Sequence, residues 1–492
     1  MNKDFLKPAL IFAVAAVLTG LLAWLLPSYS NDLFPIRKLP WFSALSKPSA
    51  PDSSRVQVKV PRQAQIALNP FLDKLKAMPV RPGELPLAPV KKDSTTKVAP
   101  QQLRIAYFSD SIIEGDLITA PLRYELQKRY GGHGVGMVPI TSIVAGFRQS
   151  IRHDFSKNWE SISFMTPDRY DISLGITGYT FIPRPYYLDS RPLEASLADS
   201  IFLADSLKTA APKVEESPEE AYRHYVEEDP FVEYRAVDIA GGADSFRRIR
   251  LFFSHASDSS FVRISHDSGE FKKLLLKPGQ ELQNMDISPS QPSKRLRLEF
   301  AAEDSLRLYG VSFDDAQGIY VDNFPIRGYS GMYFQRIHKA YLTAFNQALD
   351  YDLIVLQYGG NITDPENEDY RNYKLAMIHT IAHLKSALPD VPILIASMHD
   401  RAIKTGTQFH TSPDIPLLVK AQSEIAQETD CAFWNVYEAM GGYDSMLGFV
   451  NQNPPLAGSD YTHFTRRGAE KIASLFLDFL REEMCASIDI GK

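Results

Sequence analysis

Ser111, Asp460 and His463 have the residue types and neighbours for nucleophilic acyl chemistry. Ser111 closes the stretch Phe108-Ser109-Asp110-Ser111, and Asp460-Tyr461-Thr462-His463 lies near the other end of the chain. A serine hydroxyl is a weak nucleophile until a base takes its proton. A histidine does so when a carboxylate holds its tautomer and stabilises the imidazolium that forms. An aspartate three residues ahead of a histidine is within reach of its ring. More than three hundred residues separate the serine from this pair, so tertiary structure has to join them.

The elements able to do so are legible in the hydrophobic pattern. Leu103 to Phe108 reads as a strand, and a helix follows with Ile118, Leu122 and Leu126 on one face. After about residue 350 the chain alternates again. Asp352-Leu-Ile-Val-Leu-Gln-Tyr-Gly and Val391-Pro-Ile-Leu-Ile-Ala-Ser read as buried strands. Helices are expected over 373–388 and 465–484, the last with Ile472, Phe476, Phe479 and Leu480 inward. Unbroken apolar strands alternating with helices predict a parallel sheet covered on both faces. Sites in such sheets form at the carboxyl ends of the strands. Ser111, Gly359-Gly360-Asn361 and the Asp460–His463 loop all fall there. Asp322-Asn-Phe-Pro-Ile-Arg-Gly328 lies where the chain re-enters this pattern.

Between the two α/β stretches, from 151 to 315, the pattern changes to period two. Ile249-Arg-Leu-Phe-Phe, Phe261-Val-Arg-Ile, Leu296-Arg-Leu-Glu-Phe and Leu306-Arg-Leu-Tyr-Gly-Val alternate between turn-rich joints, as the strands of a sandwich or jelly roll do. An acidic helical stretch near Glu215 to Glu228 reads as a solvated face.

At the amino end, Lys3 and Lys7 precede an apolar run from Pro8 to Leu26, about the length a helix needs to cross a bilayer. Trp24 stands where an interfacial aromatic would anchor it, and the basic flank predicts that everything after residue 27 lies outside the cytoplasm. The length favours an anchor over a cleaved signal. Twelve prolines in residues 27–100 prevent long helices and central strands and predict an extended stalk, with short apolar pieces such as Phe71-Leu-Asp-Lys-Leu docking locally. The expected organisation is a transmembrane anchor over 1–27, a stalk over 28–100, an α/β domain in two parts over 101–150 and 316–486, and a β-sandwich over 151–315 inserted between them.

Bulk composition narrows the function classes. The net charge of −6 offers no basic footprint for nucleic acid. Cys431 and Cys485 are too few for a disulfide framework or a thiolate zinc site. His379 and His383 sit four apart on a helix, but Thr380 replaces the glutamate of a zinc-protease motif, so a surface or core-edge pair is the expectation. The glycine run from Gly131 to Gly136 follows its helix, where the dipole has the wrong sign for phosphate, and reads as a cap and turn. Asp116 reads as a helix-capping acid. His399-Asp400-Arg401 follows a strand end, and its pattern fits a pocket wall and a salt-bridged loop equally.

Taken in order, four of these stretches resemble the SGNH or GDSL hydrolase family. Ser109-Asp110-Ser111 is similar to the family's Gly-Asp-Ser block, Gly328 to its second-block glycine, Gly359-Gly360-Asn361 to its Gly-x-Asn block and Asp460-Tyr461-Thr462-His463 to its Asp-x-x-His block. The stretch from Ser111 to Pro139, and Trp434-Asn-Val-Tyr-Glu-Ala-Met-Gly-Gly, look like a bacterial subset with an inserted β-sandwich that includes peptidoglycan O-acetylesterases. The resemblance spans roughly 103–485. It implies a three-layer α/β fold, a Ser111-His463-Asp460 triad, and an oxyanion hole from the Ser111 and Gly328 amides and the Asn361 side chain. It also implies an acylated cell-envelope glycan as substrate and neither metal nor cofactor. Two departures bear on the oxyanion hole: Ser109 stands where the family has glycine, and Pro325 where a glycine is expected, which makes Gly331 a rival to Gly328.

The leading expectation is a membrane-anchored serine esterase that removes acetyl or other short acyl groups from an envelope polysaccharide or peptidoglycan. A second reading runs the triad toward transfer, handing an acyl group from a membrane acyltransferase partner to a glycan hydroxyl. A third is a non-catalytic glycan-binding scaffold.

Overall fold

Eight-residue strand β1 (Gln102–Ser109) is buried along nearly its whole length because it has a sheet neighbour on each side and helices above and below. With β2 (Gly318–Pro325), β3 (Leu353–Gln357), β4 (Ile393–Ala396) and β5 (Ala432–Trp434) it forms a sheet in the order β2-β1-β3-β4-β5. Every neighbouring pair is parallel. The computed structural model describes residues 65–88, 101–167, 169–188 and 223–489. The apolar segment 8–26 and much of the expected stalk lie outside the described residues. Among the described residues no helix is long and apolar enough to cross a membrane.

Successive side chains on a strand point to opposite faces, so a strand covered on both sides must be apolar at odd and even positions alike. On one face Ala106, Phe108, Ile354, Leu356, Ile393 and Ile395 pack against the helices α3 (Lys339–Leu349), α4 (Arg371–Ala387) and α5 (Ile415–Glu428). On the other, Ile105, Tyr107, Val355 and Leu394 pack against α1 (Asn69–Ala77), α2 (Thr119–Tyr130) and α6 (Arg466–Asp489). The result is a three-layer α/β/α body with a parallel sheet. Helix α1 belongs to the proline-rich stretch. Pro70 occupies its first turn, Phe71, Leu72 and Leu75 enter the core, and Lys74 reaches Asp352.

Two antiparallel sheets lie between β1 and β2 in the sequence. One has the order 272–275, 261–266, 295–300, 231–236, 151–155; the other has the order 283–286, 248–254, 307–314, 179–183, 159–163. Residues 136–138 pair with 307–314, so the second sheet also takes a strand from the segment that precedes residue 151. Their inner faces share an apolar core that includes Val232, Leu251, Val262, Leu298 and Phe313. Of the acidic stretch expected to be helical, residues up to 222 lie outside the description. Arg223–Tyr225 is instead a short strand paired with Tyr186–Leu188.

A buried ionic cluster fastens the sandwich to the sheet. Arg104 on β1 donates to Asp322 on β2 (2.8 Å) and to Asp314 (3.1 Å) and Ser312 (3.0 Å) on the sandwich strand 307–314. Arg250, from the neighbouring sandwich strand, donates to Asp314 as well (2.9 Å). Burial penalises the Arg104 cation, but the Asp322 and Asp314 carboxylates outweigh that penalty and hold its proton more tightly than usual. The strand that ends at the candidate nucleophile is thereby tied to the inserted domain.

Candidate active site

Ser111 stands two residues beyond the end of β1 and opens a tight 3-10 turn, Ser111–Asp116. Asp110 caps that turn by accepting the Ile112 amide at 3.1 Å. The turn's backbone is sharp, with Gly115 and Asp116 both at φ 66°. Asp460 and His463 sit in the loop that leads into α6. The structure brings the three together: Ser111 Oγ is 3.1 Å from His463 Nε2, and His463 Nδ1 is 2.7 Å from Asp460 Oδ2.

The loop that carries Asp460 and His463 is built to keep their spacing. Asp460 Oδ1 accepts the backbone amides of Thr462 and His463, each at 3.1 Å. Tyr461 between them takes a left-handed backbone, φ 54°, and its ring stacks on Phe409 at 3.9 Å. Burial by itself raises the Asp460 pKa, but hydrogen bonds from the His463 ring and from the two amides outweigh it and hold the carboxyl below its usual range. An ionised Asp460 accepts the proton on Nδ1, which leaves Nε2 as a bare lone pair facing Ser111.

His399 supports this loop from behind. It is fully buried and lies 2.8 Å from the Thr462 carbonyl through Nε2, while its Nδ1 has no partner. Burial pushes its pKa down to about 4, so the ring is neutral and donates from Nε2. The sequence left His399-Asp400-Arg401 open between pocket wall and structural loop. The structure makes it a brace: Asp400 accepts Thr411 Oγ1 (2.8 Å) and the Met446 amide (2.7 Å), and Arg401 bonds Thr363.

Asn361 follows β3, and its Nδ2 donates to Asp110 Oδ2 and to the Tyr329 carbonyl, both at 3.1 Å. Asp110 is thus a hub that joins the Ser111 turn to the Gly359-Gly360-Asn361 corner. Burial raises its pKa to about 6 even though the Ile112 and Gly360 amides favour the charged form. Gly328 (φ 76°) neighbours Tyr329 and is partly exposed, whereas a Cβ at Gly331 (φ 85°) would come within 2.5 Å of the Tyr358 ring. Gly328 thus lies one residue before the carbonyl that Asn361 bonds, and Gly331 packs inward against Tyr358.

The two family departures have local explanations. Ser109 is a regular residue of β1, outside the left-handed region, and its hydroxyl bonds the Gln357 carbonyl. Pro325 is the last residue of β2, opposite Ser109, and the next amide, Ile326, makes the bond to the Ser109 carbonyl.

Asp116 is more than a cap. It is fully buried and is paired with Arg123 and Arg148, the latter at 3.2 Å, with Thr119 and Ser150 as further donors. The residue pattern near α2 showed an acid at a helix start. It could not show the two arginines, one of them 32 positions away. The same holds for the ion pair of Glu114, on the Ser111 turn, with Arg327 beside Gly328. His383 Nε2 lies 2.9 Å from the Ile337 carbonyl, as a core-edge histidine does.

No family model and no curated protein matches this chain. Among solved structures, a peptidoglycan O-acetylesterase is similar with a TM-score of 0.59 and 18% identity, over 89% of this chain and 99% of that one. A family two carbohydrate esterase from Cellvibrio japonicus matches with a TM-score of 0.25 and 10% identity, over 68% of this chain and 98% of the other, too low to argue from. The first likeness establishes the fold. It covers most of the chain, and the shared fold is a three-layer α/β body that carries an antiparallel sandwich.

Proposed function

We propose that this chain is a serine esterase that removes O-acetyl or other short acyl groups from a cell-envelope polysaccharide or peptidoglycan. The observation that carries the proposal is the continuous relay from Ser111 Oγ through both ring nitrogens of His463 to Asp460, with separations of 3.1 and 2.7 Å. The fold shared with a peptidoglycan O-acetylesterase supports the substrate class. The basic flank and apolar run at 8–26 support an extracytoplasmic location.

The chemistry follows from the geometry. His463 Nε2 takes the hydroxyl proton as Ser111 Oγ attacks the ester carbonyl. The charge that develops on the carbonyl oxygen is met by the amides of Ser111 and Gly328 and by Asn361 Nδ2. Both Nδ2 hydrogens are engaged in the resting site, so Asn361 exchanges one of its two partners for the oxyanion. His463 returns the proton to the departing sugar oxygen, leaving an acyl-serine. A water then gives a proton to His463 and attacks, the bond from the acyl carbon to Ser111 Oγ breaks, and His463 passes that proton to Oγ as the carboxylic acid leaves. Acetate release from O-acetylated peptidoglycan fragments tests the proposal. Wild-type protein releases acetate and Ser111→Ala does not; release that survives the substitution overturns it.

A further inference from the structure

Just past the end of β2 the chain makes a tight turn. The Tyr329 amide bonds the Ile326 carbonyl at 3.1 Å, which closes a β-turn over residues 326–329. Gly328 is the third residue of that turn, at φ 76°, while Arg327 before it stays out of the left-handed region. That combination is a type II turn. A Cβ at Gly328 would meet only Met165, at 3.5 Å, so the position calls for glycine by its backbone angle and not for want of room. Among the described residues the Gly328 amide has no hydrogen-bond acceptor.

The direction of that free N–H is the weak point of such a turn. It belongs to the central peptide, Arg327–Gly328. Flipping this one peptide plane converts type II into type I and reverses the N–H, and glycine tolerates both. The bond that closes the turn does not oppose the flip.

The residues on either side of this peptide are each held from outside the turn. Arg327 forks onto Glu114: its Nε donates to Oε1 at 2.9 Å, and a terminal nitrogen donates to Oε2. The Glu114 side chain is 6% exposed and that of Arg327 58%, so the carboxylate is the fixed partner and the arginine comes to it. Glu114 lies three residues beyond Ser111, and its backbone leaves the helical course of the Ser111 turn (φ −53°, ψ 147°). On the other side of the peptide, the Tyr329 carbonyl accepts Asn361 Nδ2 at 3.1 Å, and the same nitrogen bonds Asp110. A bidentate arginine–carboxylate pair fixes orientation as well as distance.

We propose that the Glu114–Arg327 pair is a positioning device for the oxyanion hole: it holds the Arg327–Gly328 peptide in the orientation that aims the Gly328 N–H at the oxyanion, beside the Ser111 amide. Neither side chain touches the substrate or the reacting atoms; both act through Gly328. The inference rests on the esterase reading above and adds to it the residues that align its donors.

The test is kinetic, on a chromogenic acetate ester, with active sites counted by phosphonate titration. Arg327→Gln and Glu114→Gln should each lower kcat per titrated site about ten- to a hundredfold, the cost of misplacing a group by about an ångström. KM should stay within about twofold of wild type, because the interaction lost is one made in the transition state. Affinity for a trifluoromethyl ketone, whose adduct with Ser111 places an oxyanion in the hole, should fall by the same factor as kcat/KM. The double variant should be no slower than the slower single, since either change releases the same peptide. A wild-type kcat per site in Arg327→Gln overturns the inference, even if the melting temperature drops, because the pair is then structural only. A loss confined to KM overturns it too, as do losses that multiply in the double variant. Should Glu114→Gln fail to fold, Arg327→Gln decides alone, since its side chain lies mostly in solvent. Failure of the esterase reading is separate: wild-type protein would then show no Ser111-dependent hydrolysis.

Discussion

Replacing His399 by phenylalanine should have opposite effects on stability at two pH values. The ring is fully buried, holds the Thr462 carbonyl at 2.8 Å, and has its pKa pushed down to about 4 by burial. In the unfolded chain the same group titrates near its ordinary value of 6.5. Above that value neither state is charged and the group has no effect on the pH dependence. As the pH falls from 6.5 toward 4, the unfolded chain takes up a proton that the folded chain refuses, so stability is lost through that window. At pH 5 the loss amounts to about 2 kcal/mol, from 1.36 kcal/mol for each of roughly one and a half pH units. Phenylalanine fills the same space and cannot titrate. It gives up the hydrogen bond to Thr462, about 1 kcal/mol net. At pH 7.5 the variant should therefore be less stable than wild type by about 1 kcal/mol, and at pH 5 more stable by a similar amount. His153 and Asp110, which are also buried, are common to both proteins and cancel. Denaturant unfolding of the two proteins at both pH values measures this directly. A stability difference that is the same at pH 7.5 and pH 5 would refute the assignment of a neutral, load-sharing His399. Because the lost bond holds the catalytic loop, kcat at pH 7.5 should fall about fivefold, the equivalent of 1 kcal/mol.

Three further outcomes follow from contacts already described. Asp460→Asn keeps an oxygen for the Thr462 and His463 amides but presents an NH₂ to His463 Nδ1. The ring then adopts the wrong tautomer, and kcat for acetate release should drop about 10³- to 10⁴-fold with an unchanged melting temperature. Asn361→Ala removes a side-chain donor from the oxyanion and should lower kcat about a hundredfold with little change in KM, read from steady-state kinetics on a chromogenic acetate ester. Arg104→Leu strips a cation from between Asp314 and Asp322 and should cost about 3–5 kcal/mol in denaturant unfolding, with soluble, folded protein at low temperature as the control.

The α/β body was legible because its signals are local. β1, β3 and β4 are apolar at consecutive positions, and that pattern has few other meanings in a chain with intervening helices. Ser111 and Asn361 could be placed at strand ends for the same reason; the Asp460–His463 pair follows the helix Ser445–Asn451 rather than a strand, yet the structure sets the serine and the histidine within hydrogen-bond distance. What could not be read were polar contacts between distant segments. Asp116 looked like a cap because Arg148 is in another element, and the pairing of Glu114 with Arg327, 213 positions away, left no local trace. His399 carried no signal that its ring would meet the Thr462 carbonyl 63 residues later. The short strand Arg223–Tyr225 was hidden by the acidic composition upstream of it, since its pairing partner, Tyr186–Leu188, lies well before that stretch. Charge and propensity describe a residue's own segment, whereas these roles are set by the segment it meets.

The central claim is that Ser111 is made nucleophilic by His463. A fluorophosphonate reagent reacts with serines activated in this way and spares ordinary hydroxyls. Intact-mass analysis of the labelled protein, with peptide mapping, should show one adduct, located on Ser111. The adduct should disappear in Ser111→Ala and form far more slowly in His463→Ala. A wild-type protein that takes up no label, or carries it on another residue, would contradict the account.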